Sequence, residues 1–114
     1  MNIDSFLEKL NKTPQEITFS ETIAVIEENY NFSPTAFENG LLHNAAGENS
    51  GSCKIFAFAE LQKLSKEATL SCFGAYYFEE VLGDLEGTNH QNIRNFMKSG
   101  WDGIAFYGEA LTSK

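Results

Sequence analysis

The stretch Asn39–Leu64, NGLLHNAAGENSGSCKIFAFAELQKL, decides how the rest of the chain is read. Its first half is polar and broken by Gly40, Gly47 and Gly51, whereas its second half places Cys53, Ile55, Phe56, Ala57, Phe58, Ala59, Leu61 and Leu64 over most of a helix circumference. A helix that is apolar nearly all round is enclosed on several sides. Burying each Phe or Ile stabilises by roughly 1.5–3 kcal/mol, so a central helix over 53–64 is expected. Its polar lead-in is the natural place for a binding surface.

Outward from that helix, the N-terminal side reads as short amphipathic pieces. Ile3, Phe6, Leu7 and Leu10 recur at helical spacing. Thr13-Pro14-Gln15-Glu16 has the composition of a capping box with proline at the first helical position. Ser20 is positioned to cap a helix over 21–30 whose buried face is Ile23, Val25, Ile26 and Tyr30. Between 32 and 44, Ser33-Pro34 and Asn39-Gly40 are turn formers, with Phe37 and Leu41-Leu42 as apolar anchors, which leaves room for a hairpin or an irregular loop.

On the C-terminal side, Thr69 can cap a helix running to about Leu82, with Leu70, Phe73, Tyr77 and Val81 on one face and Gly74 at a close helix–helix approach. Thr88 and Gln91 form a second capping box for a helix through Met97 that Gly100 ends as a left-handed cap. The segment 102–108 is glycine-bounded and aromatic, hence extended, and the last three residues are expected to fray. The predicted fold is therefore mainly α, a compact single-domain bundle of about five helices over 1–114, with a small two-stranded β element joining Leu41 to the region of Ile104.

Composition bounds the function. The chain has 114 residues, 42 % apolar and 13 % aromatic, enough for one core and no second domain. A net charge of −8 argues against nucleic acid and anionic membrane as partners, since both require a positive face. Only 89–114 is net positive, at +1. Cys53 and Cys72 belong to no CxxC or His-Cys cluster, so free thiols in a reducing, cytoplasmic setting are expected, with no metal and no cofactor. No apolar run approaches the ~20 residues a membrane span needs, and the first residues lack the pattern of a secretory signal.

The separated motifs FENGLLHNAAGENSGSCKIFAFAEL from Phe37, TLSCFGAYY from Thr69 and NHQNIRNFMKSGWDGIAFYGEAL from Asn89 resemble the HopJ type III effector family, also written HopPmaJ. The resemblance spans almost the whole chain. It implies kinship with proteins delivered by type III secretion systems of plant pathogens, and with similar small proteins of other bacteria, and it brings no biochemical activity with it. An amphipathic helix beginning by Ile3 leaves no polar export leader, so a resident cytoplasmic role is expected ahead of export.

Several residue groups could carry chemistry. In Gly47–Lys54, GENSGSCK, small residues precede a helix N-terminus with Ser50, Ser52 and Lys54 beside it, a geometry that can hold phosphate or carboxylate although the spacing is not that of a Walker A motif. The plainer reading is that a serine caps the helix. Asn39, Asn44 and Asn49, with His43, either satisfy an irregular backbone or line a polar pocket. Cys53 with His43 or His90 as base is the sharpest enzymatic proposal, set against a buried structural thiol. His90, Arg94 and Lys98 form a stripe that could receive an anion, or Arg94 could pair with Glu79 or Asp84. The expected function is noncovalent binding of a small anionic ligand or a protein partner by Asn39, His43, Asn44, Asn49, Ser52 and Lys54, with His90 and Arg94 nearby.

Overall fold

The computed structural model describes residues 2–114. It is mixed α/β: 55 % helix and 13 % strand, with five strands in two antiparallel sheets. That overturns the expectation of a mainly α bundle with one small β element. The helices are α1 (Ile3–Lys12), α2 (Phe19–Asn29), α3 (Ser50–Leu61), α4 (Lys66–Ser71) and α5 (Gln91–Ser99), joined by a π-helical segment at Tyr76–Val81 and 3₁₀ turns at Pro14–Glu16 and Gly100–Gly103.

The strands are β1 (Tyr30–Phe32), β2 (Phe37–Asn39), β3 (Leu42–Asn44), β4 (Ile104–Phe106) and β5 (Leu111–Ser113), each only three residues long. Three residues cannot display a convincing period-2 alternation, which is why the pattern of the sequence hides them. β1 pairs with β5, Asn31 opposite Thr112, so the terminus expected to fray is a strand and Tyr30 belongs to a sheet instead of to α2. β2 is the middle of the other sheet, with β3 on one side and β4 on the other.

The β2–β3 connection is a two-residue hairpin in which Gly40 takes φ 62°, the positive angle such a turn needs at its first central position. Leu41 at its tip is fully exposed and anchors nothing. Gly40 also lies close to Gly103, donating its N–H to the Gly103 carbonyl at 2.9 Å.

α3 is the centre of the core. Cys53, Ile55, Phe56, Ala57, Phe58 and Ala59 are all buried, and Phe56 meets Phe37, Phe73 and Phe96 with ring centroids 4.9–6.0 Å apart. The helix begins three residues earlier than its apolar run, taking in Ser50, Gly51 and Ser52. α2 likewise starts at Phe19, because Thr18 and not Ser20 caps it, accepting from the Glu21 N–H at 3.1 Å.

The expected long helix from Thr69 is two pieces. α4 is capped by Ser65 and ends at Ser71. Gly74 then adopts φ 59°, and a Cβ there would sit 2.7 Å from the Phe19 nitrogen and 3.0 Å from the Ile17 carbonyl. Gly74 thus lies in a turn, outside any helix, and packs closely on the backbone at the start of α2. No helix of the described residues is long and apolar enough to cross a membrane.

Candidate functional site

α3 and α5 begin in the same place. Asn49, the residue before α3, and His90, the residue before α5, both hold left-handed backbone angles, φ 51° and ψ 48° for Asn49 and φ 52° and ψ 49° for His90. Non-glycine residues enter that region at a cost of roughly 1–2 kcal/mol. Neither side chain caps the helix that follows it. Instead the Asn49 amide donates to Asn44 Oδ1 at 2.7 Å, and His90 Nε2 lies 2.8 Å from Glu80 Oε1.

The Thr88–Gln91 pair expected to cap α5 bonds differently: the Gln91 amide turns back to the Thr88 carbonyl. Each helix consequently presents first-turn backbone N–H groups without a side-chain acceptor. They face a common cleft of about 550 Å³, floored by Asn92 and Ser52 and walled by Phe19, Tyr76 and His90. In a chain of net charge −8, no carboxylate is among the residues lining it.

Behind the cleft lies a buried amide cluster. Asn92 accepts through Oδ1 from Asn39 at 3.0 Å and from Asn44 at 3.1 Å, and donates to Asn44 Oδ1 at 2.9 Å. Asn39 also donates to the Asn92 carbonyl at 2.8 Å. Asn39 and Asn44 have no exposed surface, and Asn92 retains 5 %. The cluster ties β2, β3 and the first turn of α5 to Asn49, fixing where the two helices start. Asn39 Oδ1 is buried without a hydrogen-bond partner.

Five of the residues selected from sequence, Asn39, Asn44, Asn49, Ser52 and His90, therefore converge here, as lining or as its support. Three others lie elsewhere. Lys54 reaches Glu27 at 3.1 Å and stands over the Phe32 ring at 4.9 Å. Arg94 is buried and clamps the preceding loop, donating to the carbonyls of Asp84 and Asn89 at 2.8 and 2.5 Å and to the Asn89 side chain at 2.8 Å, so its partners are carbonyl oxygens and not the carboxylates considered from sequence. His43 projects from the three-stranded sheet and pairs with Glu38, which also accepts from the Tyr107 hydroxyl at 2.9 Å. The hydrogen bond from His43, with that from Tyr107, holds the Glu38 carboxyl below its usual range, and the same carboxylate raises the Tyr107 phenol.

The arrangement does not assemble a cysteine nucleophile. Cys53 is buried, its thiol lies 3.5 Å from the Thr35 carbonyl, and burial pushes its pKa up, which disfavours the thiolate. The two histidines are engaged by Glu38 and Glu80. Among the described residues, no three His, Cys, Asp or Glu side chains come together as a metal-binding group.

Asn92, Phe19 and Tyr76 are members of the site that the pattern of the sequence does not single out. Asn92 meets its amide partners across 53 and 48 residues of chain, so nothing local marks it. Trp101, by contrast, is placed as a core aromatic, edge-on to Phe96 with its Nε1 donating to the Leu64 carbonyl at 2.9 Å.

The family model described as HopJ type III effector protein matches residues 3–111. A crystal structure of a protein of unknown function, VPA0580, is similar throughout: 56 % identity, TM-score 0.98, covering 100 % of this chain and 95 % of that one. No curated protein matches the chain.

Proposed function

The chain belongs to the HopJ type III effector protein family, and from that premise we propose that it is a binding domain whose cleft between α3 and α5 takes a small anionic ligand. One observation carries the reading: two helix N-termini, neither capped by a side chain, open on a single cleft lined by no carboxylate. Each N-terminus behaves as roughly half a positive charge, and free N–H groups there are ready donors to phosphate or carboxylate oxygens. His90 lines the cleft with its Nε2 held 2.8 Å from the Glu80 carboxylate. Ser52 contributes a hydroxyl, and Asn92 presents an amide already locked by its buried partners. Lys54 and Arg94 are otherwise employed, so the field is supplied mainly by the backbone.

The test is a thermal-unfolding series with phosphate, pyrophosphate and acetate at fixed ionic strength, on the native chain and on Ser52→Asp. That substitution puts a carboxylate in the first turn of α3. The expected results are a phosphate-dependent rise in Tm of the native chain and a variant that is intrinsically more stable and gains little from phosphate. An equal response of both proteins, or none in the native chain, overturns the reading.

A second reading, delivery by a type III secretion system, is favoured by the family itself. Its test is a reporter fused to the first ~25 residues and to the full chain, sized to the usual reach of a terminal segment; type III-dependent export of either supports it, and retention of both contradicts it.

A further inference from the structure

We propose that the ligand is an anion carried on a planar aromatic ring. The proposal rests on the anion reading above, but what carries it is a different part of the cleft, its size and its walls. A volume of about 550 Å³ is much more than a bare phosphate or carboxylate fills, and falls in the range of sites for small organic ligands.

The wall beside the α3 N-terminus is aromatic. Phe19 and Tyr76 meet edge to face, centroids 5.1 Å apart and planes at 80°, and Tyr76 meets the His90 ring at 5.2 Å and 44°. This places a corner of ring surfaces directly beside the free N–H groups. Gly51 makes the approach possible: a Cβ there would lie 2.9 Å from Phe19 Cζ. Tyr76 is also 39 % exposed, in contrast to the buried Phe73 next to it.

Such a corner favours a flat guest, because a ring can stack on one face and present its edge to the other, a preference that an aliphatic ring of similar bulk does not share. Asn49 and Gln91 line the same cleft, with their amide N–H groups already given to Asn44 and Thr88. The recognised chemistry is thus an aryl carboxylate or aryl phosphate: anionic group at the two helix N-termini, ring against Phe19 and Tyr76.

The experiment measures affinity by amide chemical shifts on the full chain for benzoate, phenyl phosphate, cyclohexanecarboxylate, acetate and benzyl alcohol, and repeats it on Tyr76→Leu. The expected result is benzoate about tenfold tighter than cyclohexanecarboxylate, the value of one good aromatic pairing, with most of the difference lost in Tyr76→Leu. Equal affinity of benzoate and cyclohexanecarboxylate, with phosphate still moving the Ser52 and Asn92 amides, overturns the aromatic inference and leaves the anion reading standing. Benzyl alcohol binding as tightly as benzoate supports the aromatic wall and overturns the anion reading. Silence with every probe removes both.

Discussion

Among the described residues, three α-helices satisfy their N-termini with the side chain of their cap residue and two do not, and the two meet at one cleft. Asn2 accepts from the Ser5 N–H at 2.7 Å at the start of α1, Thr18 from Glu21 at 3.1 Å at α2, and Ser65 from Ala68 at 3.1 Å at α4. At α3 and α5 the cap positions are Asn49 and His90, in left-handed conformation and turned toward Asn44 and Glu80. Asparagine is among the best cap residues, so its failure to cap α3 is a matter of where its side chain is held, not of residue type. Capped ends close the scaffold, and uncapped ends leave donors available to something else.

The largest test of that contrast is the amide cluster that holds the uncapped ends in place. Asn92→Leu removes the common partner of Asn39 and Asn44 and leaves buried amides unpaired, at about 1–3 kcal/mol for each unsatisfied group. Denaturant unfolding should show a loss of at least about 2 kcal/mol. A near-neutral Asn92→Leu would mean that the cluster does not position the helices.

Alkaline pH probes the closed side of the molecule. Cys72, buried just after α4, has its thiol pushed up to about 12 by burial. The unfolded chain therefore releases this proton at lower pH than the folded chain, and by linkage the stability contributed by Cys72 is complete below the ordinary thiol range and falls as pH rises from about 9 to about 12. Cys72→Ala should flatten that part of the stability curve. Iodoacetamide at pH 8 should leave Cys72 unmodified in the native protein and label it after unfolding; native labelling would contradict the burial.

At the caps themselves, Ser65→Ala should lower stability by about 1 kcal/mol, the usual value of a side-chain cap. His90→Gly should do the reverse, raising it by a few tenths to about 1 kcal/mol, because glycine relieves a left-handed position and the exposed pair with Glu80 contributes little. A destabilised His90→Gly, measured by the same unfolding curves, would erase the distinction between the two kinds of N-terminus.

Much of this contrast was legible in the residues, and the rest was hidden for definite reasons. The all-round apolarity of 53–64 identifies the core helix before any coordinates, although the helix stops at Leu61 and leaves that side chain exposed, and the small polar residues in front of it identify its N-terminus as a candidate anion site. Asn39, Asn44 and Asn49 were recognisable as a group through their recurrence in one loop. Their common partner Asn92 was not, since a buried side-chain network formed across about fifty residues has no local signature. Capping rules pointed to Ser20 and Thr69, two and four residues past the Thr18 and Ser65 that do cap α2 and α4, and could not tell that the Thr88–Gln91 box would yield to His90. The extended segment at 102–108 and its joining to the Leu41 region were read from the residues, but five strands in two sheets were not, because each strand is three residues long and one of them lies at a terminus where fraying is the ordinary expectation.

The most direct measurement follows backbone amides through a phosphate titration at constant ionic strength. Saturable shifts are expected for Gly51, Ser52, Asn92 and Ile93, at the uncapped starts of α3 and α5, while Ser5, Glu21 and Ala68, whose N–H groups are already bonded to caps, stay still. Uniform small shifts across both sets, or stationary amides at all seven positions, would contradict it.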